Sequence, residues 1–220
     1  MHGILSYARF GLTKTDTTDK EKLKIYFDEI YDCGSRLMSL LNDLLDLAKL
    51  ESGKTDYLFD NNDLVTCTNM VVTEMMAFAL EKQVTLSLQT TSPTAHAYFD
   101  PQRISQVLRN LISNAIKFSF PNTSVCIVIE EHELELRCEV TNEGVGIPQE
   151  ELTTIFDKFV QSSKTHNGAG GTGLGLAICK EIIADHQGEI CVSVDASNIT
   201  HFSFTVPVKK PEIIKAKESA

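Results

Sequence analysis

Gly168-Ala-Gly-Gly-Thr-Gly-Leu-Gly-Leu176 places glycines 168, 170, 171, 173 and 175 just ahead of an apolar run of helical period, Leu174–Ile183. Glycine lets a backbone turn and approach a ligand without interference from Cβ. A helix that begins there offers free N–H groups and the positive end of its dipole. The pattern is that of a phosphate cradle. It is not a Walker A loop, because no Gly-Lys-Ser/Thr follows, and no clear strand precedes it as a dinucleotide fingerprint requires. Taken alone, the segment also reads as a flexible structural loop.

Two segments upstream narrow the choice. Asn142-Glu-Gly-Val-Gly-Ile-Pro148 ends an apolar strand with a second glycine turn. Gln106-Val-Leu-Arg-Asn-Leu-Ile-Ser-Asn-Ala-Ile-Lys-Phe118 reads as an amphipathic helix, with Asn110 and Asn114 one turn apart on one face. Lys117 follows on the same side. Two amide oxygens and an ammonium on one stripe can coordinate a magnesium ion and balance a phosphate chain. The bland alternative is decoration of a helix surface.

The rest of the chain arranges itself around these segments. Before Gly53 the sequence reads as two helices, about Met1–Lys14 and a long second one. Between them lies the polar turn Thr15–Asp19, where Thr18 and Glu21 form a capping box. Leu23, Phe27, Ile30, Gly34, Leu37, Leu41, Leu44 and Ala48 recur in steps of three and four, a heptad seam. Leu40, Leu45 and Leu47 widen that stripe, as a four-helix bundle requires. Two helices supply half a bundle, so a homodimer through the hairpin is expected; the alternative is a hairpin that packs only on its own C-terminal domain. After Gly53 helices are expected over Asp63–Glu81, Ile104–Phe118, Gln149–Asp157 and Thr172–His186. Strands are expected over Val84–Gln89, Ala97–Phe99, Val125–Ile129, Leu134–Val140, Ile190–Val194 and His201–Val206. The central pair looks antiparallel, which favours an α/β sandwich with helices on one face over a Rossmann fold. The charged tail, Lys209–Ala220, reads as frayed.

Composition bounds the function. The chain has 220 residues, 42% hydrophobic and 23% charged, with a net charge of −10. Such a balance argues against a general binder of nucleic acid or anionic membrane. No stretch approaches the roughly 20 apolar residues that span a bilayer, and no signal peptide is evident. Cysteines 33, 67, 126, 138, 179 and 191 form no CxxC pair, and most sit in apolar runs. They read as buried thiols in a reducing compartment, hence the cytoplasm. Histidines 96, 132, 166, 186 and 201 show no metal-ligand spacing.

The ordered segments resemble a known family. The asparagine helix, the Asn142–Pro148 turn, Phe156-Asp-Lys-Phe159 and the glycine loop look like the N, G1, F and G2 boxes of sensor histidine kinases. Leu41-Asn-Asp-Leu-Leu-Asp-Leu-Ala-Lys-Leu-Glu-Ser-Gly53 is similar to the second helix of that family's dimerisation domain. The resemblance covers about residues 1–208. It implies an α+β chain: a dimerisation hairpin over 1–53, a Bergerat-type ATP-binding sandwich over 54–210, and a tail over 211–220.

The resemblance also implies roles. Asn114, supported by Asn110, would bind Mg²⁺; Lys117 would contact phosphate and Phe118 would border the nucleotide. Asn142 stands where the family usually has an Asp that accepts a hydrogen bond from the adenine amino group. Gly144, Gly146 and Ile147 would shape the adenine pocket. Residues 160–173 would form a lid, and Gly171, Thr172, Gly173, Leu174 and Gly175 would close on the phosphates. The γ-phosphate of ATP would pass to a His and then to an Asp of a response-regulator receiver domain.

Two departures qualify this. Asn142 keeps an acceptor oxygen but loses the carboxylate charge, so weaker adenine binding is expected. At the start, Met1-His2-Gly3-Ile4-Leu5 fits the last part of the family pattern His-Glu-x-Arg-x-Pro-Leu-Asn-x-Ile-Leu. The acceptor His would then lie six residues before Met1, with His2 in the Asn position. The expectation is a chain that is a fragment, or begins at an internal Met, and cannot phosphorylate itself at the usual site; a membrane anchor upstream in the full-length protein is compatible with this.

Two other classes share parts of the pattern. Gyrase-type and chaperone-type ATPases use a helix Glu one turn before the metal-binding Asn. Asn110 occupies that position and cannot serve as a general base. A nucleotide-binding signalling platform without catalysis is the other alternative.

Overall fold

A computed structural model describes residues 2–14, 19–53, 55–165 and 171–209. The turn residues up to Thr18, His166, Gly168, Gly170, the tail from Lys210 and the side chain of His2 lie outside the described set. The chain packs as two units, Met1–Asp46 and Leu47–Ala220.

The first unit contains α1 (His2–Lys14) and most of α2 (Lys20–Glu51). Tyr7 and Phe10 of α1 lie against Tyr26 of α2, with ring centroids 6.0 and 6.2 Å apart. Much of the heptad stripe, including Phe27, Leu37, Leu41 and Leu44, is exposed in the single chain. The end of α2 belongs to the second unit, where Leu47 and Leu50 are buried. Gly53 closes α2 with φ +63°, and its N–H reaches the carbonyl of Leu50 at 3.0 Å. A left-handed residue after a helix suits glycine.

The second unit is built on a five-stranded sheet in the order β2-β4-β5-β7-β6, with only the β2–β4 pair parallel. These strands are β2 (Thr85–Thr90), β4 (Ser124–Glu131), β5 (Glu135–Glu143), β6 (Ile190–Val194) and β7 (Ile199–Pro207). A separate ribbon pairs β1 (Asp60–Asp63) with β3 (His96–Phe99). Helices α3 (Leu64–Glu81), α4 (Pro101–Phe118) and α5 (Gly175–Asp185) pack on the sheet and on one another. The rows Val125-Ile127-Ile129 on β4 and Leu136-Cys138-Val140 on β5 alternate inward onto α4. From α4, Ile104, Val107, Leu108, Leu111 and Ile112 fill the layer between. This is a mixed-sheet α/β sandwich with its helices on one face.

Several expectations are corrected. α4 starts at Pro101 rather than Ile104. Asp100 caps it, accepting from the N–H groups of Gln102 (2.9 Å) and Arg103 (3.2 Å), and proline suits the first helical position. The expected helix Gln149–Asp157 is a single 3-10 turn, Gln149–Glu151, followed by turns. Thr153 and Thr154 are β-branched, and only the Ile155 N–H to Glu151 carbonyl bond (2.9 Å) has helical spacing there. α5 begins at Gly175, not Thr172, because Gly173 is left-handed. β1 was not anticipated.

The cysteines also divide. Cys67, Cys138 and Cys179 are buried, Cys33 and Cys126 are partly exposed, and Cys191 is exposed on the edge strand β6. Finally, α3 has a mean hydropathy of 1.2 over 18 residues, long and apolar enough by length and composition to cross a membrane. Thr66, Thr68, Asn69, Thr73 and Glu74 interrupt its apolar run. Here Leu64, Val65 and Val71 of α3 are buried in the sandwich core.

Candidate nucleotide site

α4 presents two faces. Its apolar stripe faces the sheet, and Asn110, Asn114 and Lys117 lie on the partly exposed flank. Asn110 meets the start of α5 directly. A Cβ at Gly175 would lie 2.5 Å from Asn110 Oδ1 and 2.7 Å from Nδ2, so any side chain there would have to displace the Asn110 amide. Lys117 Nζ lies 5.0 Å from the Phe118 ring centroid and 3.7 Å from the place a Cβ would take at Gly171. Partial burial pushes the Lys117 ammonium below its usual range, and an anion beside it would offset that desolvation. Asn114 lies one turn from Asn110 on the same flank. The polar stripe of α4 and the described end of the glycine loop therefore share one location.

The Gly144–Gly146 turn is tied to the end of α4. Val145 N–H donates to the Phe118 carbonyl at 3.2 Å, and Phe120 N–H donates to the Glu143 carbonyl at 3.0 Å. A Cβ at Gly144 would overlap the Phe118 carbonyl, and Gly146 takes φ +66°. Ile147 packs against the core. The inward row of β5 ends on Asn142, 5% exposed, and the matching row of β7 ends on Thr200, 4% exposed. These two polar residues are register partners on neighbouring strands. Two apolar rows thus terminate in paired polar side chains beside a glycine turn, an arrangement suited to one hydrogen-bonding edge of a flat ligand. Thr200 was missed in the sequence because β7 was expected to begin at His201; carrying the alternation of Phe202, Phe204 and Val206 back by one step would have found it.

The third wall comes from the phenylalanine segment. Phe156 is buried edge-on to Phe202 with centroids 6.2 Å apart. Phe159 is exposed, takes φ +64°, and its N–H donates to the Gly173 carbonyl at 2.9 Å. Gly173, at φ +70°, leaves no room for a Cβ, which would sit 2.8 Å from the Phe159 backbone. Gln161 Nε2 donates to the Gly171 carbonyl at 2.7 Å, and Leu174 N–H donates to Thr172 Oγ1 at 3.2 Å. Residues 166–170 of the expected lid lie outside the described set.

The helix N-termini differ in a telling way. Asp63 caps α3 and Asp100 caps α4, each through its side chain, whereas Leu174 gives α5 no side-chain cap. The N-terminal end of α5, with its positive dipole, stands beside Asn110 without a capping carboxylate. Among the described residues no group of three or more His, Cys, Asp or Glu is placed to hold a metal ion. The metal-ligand candidates are the amide oxygens of Asn110 and Asn114. Such a set fits Mg²⁺, which takes few protein oxygens and completes its shell with water and phosphate.

Comparison with known proteins finds two family matches. Residues 99–210 match the family described as histidine kinase-, DNA gyrase B-, and HSP90-like ATPase, and residues 1–53 match the His Kinase A (phospho-acceptor) domain. The circadian input-output histidine kinase CikA of Synechococcus elongatus is 33% identical over 191 residues, 85% of this chain and 25% of that protein. The chain spans about a quarter of the length of CikA, and as little as 12% of other curated relatives it matches. Full-length ShkA in complex with AMPPNP is similar with TM-score 0.74 and 25% identity, over 96% of this chain and 43% of that one. The histidine kinase ThkA in complex with the response regulator protein TrrA gives TM-score 0.76 and 28% identity, over 94% of this chain and 58% of that one.

Proposed function

This chain belongs to the sensor histidine kinases, and from that premise we propose that it is the ATP-dependent core of a two-component signalling protein. It transfers the γ-phosphate of ATP to a protein His, from which an Asp of a response-regulator receiver domain takes it. One observation carries the reading: Gly175 and Gly171, at the foot of an uncapped α5, abut Asn110 and Lys117 of α4.

The residues divide the work. Asn142 accepts a hydrogen bond from the adenine amino group, and Gly144, Gly146 and Ile147 shape the base pocket. Phe118 borders the nucleotide. The Gly171-Thr172-Gly173-Leu174-Gly175 backbone and the α5 dipole hold the phosphates, and Lys117 balances their charge. Asn114 and Asn110 hold Mg²⁺, which supplies charge neutralisation of the phosphate chain. Asn110 positions its partners and takes no proton. Catalysis is then positioning plus electrostatic stabilisation of in-line transfer.

The hairpin over residues 1–53 dimerises, 54–210 form the catalytic domain, and 211–220 form a tail. The exposed leucine stripe of α2 supports a homodimer that completes a four-helix bundle. The free cysteines, three of them buried, support a reducing, cytoplasmic place.

The test supplies Mg-ATP, this chain, and a separate complete helical hairpin bearing an acceptor His. Acid-labile phosphate on that His is the expected result. Nucleotide binding without transfer would mean a non-catalytic module, and steady phosphate release without an acceptor would mean an ATPase.

A further inference from the structure

Asn198 sits at the tip of the β6–β7 connection. That tip closes itself: Asp195 Oδ1 accepts from the N–H groups of Ser197 (2.8 Å) and Ile199 (2.9 Å). Backbone bonds at 3.0 Å join Asn198 N–H to the Asp195 carbonyl and Asp195 N–H to the Ile199 carbonyl. The φ of Asn198 is +63°, a conformation asparagine tolerates better than most residues.

The Asn198 side chain takes no part in this closure. It reaches across to the Gly144–Gly146 turn, where Nδ2 donates to the Gly144 carbonyl at 2.9 Å. Its Oδ1 lies 2.6 Å from where a Cβ of Gly146 would be. The amide occupies space that exists only because residue 146 has no side chain. The same turn is held from its other side by the Phe118 carbonyl, through Val145 N–H. The turn is therefore gripped between the end of α4 and the side chain of Asn198, next to the Asn142–Thr200 pair.

We propose that Asn198 is a positioning residue for the nucleotide base: its amide fixes the Gly144 carbonyl and the left-handed Gly146, and so the wall of the base pocket. The assignment rests on the nucleotide reading of the site and adds to it a residue from a different hairpin. Asn198 acts through the turn, so its influence falls on the base and not on the phosphates.

Two substitutions isolate the amide. Asn198→Gly removes it while permitting the same backbone conformation. Asn198→Asp keeps the shape and the oxygen but loses the donor, and sets a carboxylate against a carbonyl. Equilibrium titrations with adenosine, ADP and ATP compare both variants with the parent chain, alongside Lys117→Ala and the thermal midpoint of each ligand-free protein. Both Asn198 variants are expected to lose roughly 3–10-fold in affinity for all three ligands alike. Lys117→Ala should lose ATP affinity and keep adenosine. Unchanged adenosine affinity in both Asn198 variants overturns the proposal, and with a lowered thermal midpoint it makes the residue merely structural. A loss confined to ATP also overturns it. If the parent chain binds none of the three, the nucleotide reading itself fails and takes this assignment with it.

Discussion

Helices α2 and α4 carry apolar residues at the same spacing of three and four, yet they end in opposite environments. On α4, Leu108, Leu111 and Ile112 are 0% exposed; on α2, Phe27, Leu41 and Leu44 remain 67%, 45% and 43% exposed. A helical period reports that one face seeks cover. It does not report where the cover comes from. For α4 the sheet of the same chain supplies it. The α2 stripe keeps its exposed leucines in the single chain, so none of the described residues covers it.

The largest effect that would break this contrast is a matched truncation. Leu111→Ala should cost about 2–5 kcal/mol of stability in urea unfolding, because it leaves a cavity in a closed core. Leu44→Ala should cost the dilute chain under about 1 kcal/mol and instead shift the monomer–dimer equilibrium in sedimentation toward monomer. Equal costs at high dilution would erase the distinction between the helices.

A buried histidine extends the contrast to polar groups. His186, 0% exposed, accepts from the Asp100 N–H at 3.0 Å through Nε2, and its Nδ1 lies 2.7 Å from the Ile182 carbonyl. Tyr57 and Phe59 pack edge-on to its ring, and Tyr57 donates to Asp185 at 2.5 Å. Desolvation holds the imidazole below its ordinary 6.5, against the opposing pull of the Ile182 carbonyl, Asp100 and Asp185. The unfolded chain therefore takes up a proton that the folded chain refuses. This contribution is full above pH 6.5 and is lost as pH falls toward the depressed folded value, with a slope of at most about 1.4 kcal/mol per pH unit. Thermal midpoints should fall as the pH drops below 6.5, and His186→Asn should flatten that limb.

Smaller effects concern helix ends and the base pocket. Asp63→Ala removes acceptors for the Val65 and Thr66 N–H groups and should cost about 0.5–2 kcal/mol in urea unfolding. Asn142→Asp should tighten ATP by about fivefold, since a charged hydrogen bond exceeds a neutral one by roughly 1 kcal/mol; a titration showing equal affinities removes Asn142 from the base contact. Smallest is Lys158→Ala, which breaks a surface ion pair with Glu51 and should change stability by under about 1 kcal/mol.

The features legible in the sequence were those that periodicity encodes. The α4 stripe, its polar flank and the alternating rows of β4 and β5 follow from spacing alone. Other features needed tertiary distances. β1 is Asp-Asn-Asn-Asp, four residues with poor strand preference, and it forms by pairing Asp60 with Phe99 and Asp63 with His96. The packing of Gly175 against Asn110 joins residues 65 apart in sequence, and no local pattern marks it. The spacing put Asn110, Asn114 and Lys117 on one face, but it could not say which glycine they would meet. Cys191 looked buried because its neighbours are apolar; an edge strand turns alternate residues outward.

That uneven exposure of the thiols has a practical use. Cys138 and Cys179 are sealed in the core, where desolvation pushes both thiols far above their usual range, and Cys67 is buried and raised as well. Reagents that seek thiolate at neutral pH should pass them by. Cys191 in the second unit and Cys33 in the first are open to modification, with Cys126 as the competitor to remove by a Cys126→Ser change. With Cys126 replaced, the chain carries one attachment point for a spectroscopic probe in each unit. A pair of spin labels placed there would turn the addition of nucleotide into a measured distance.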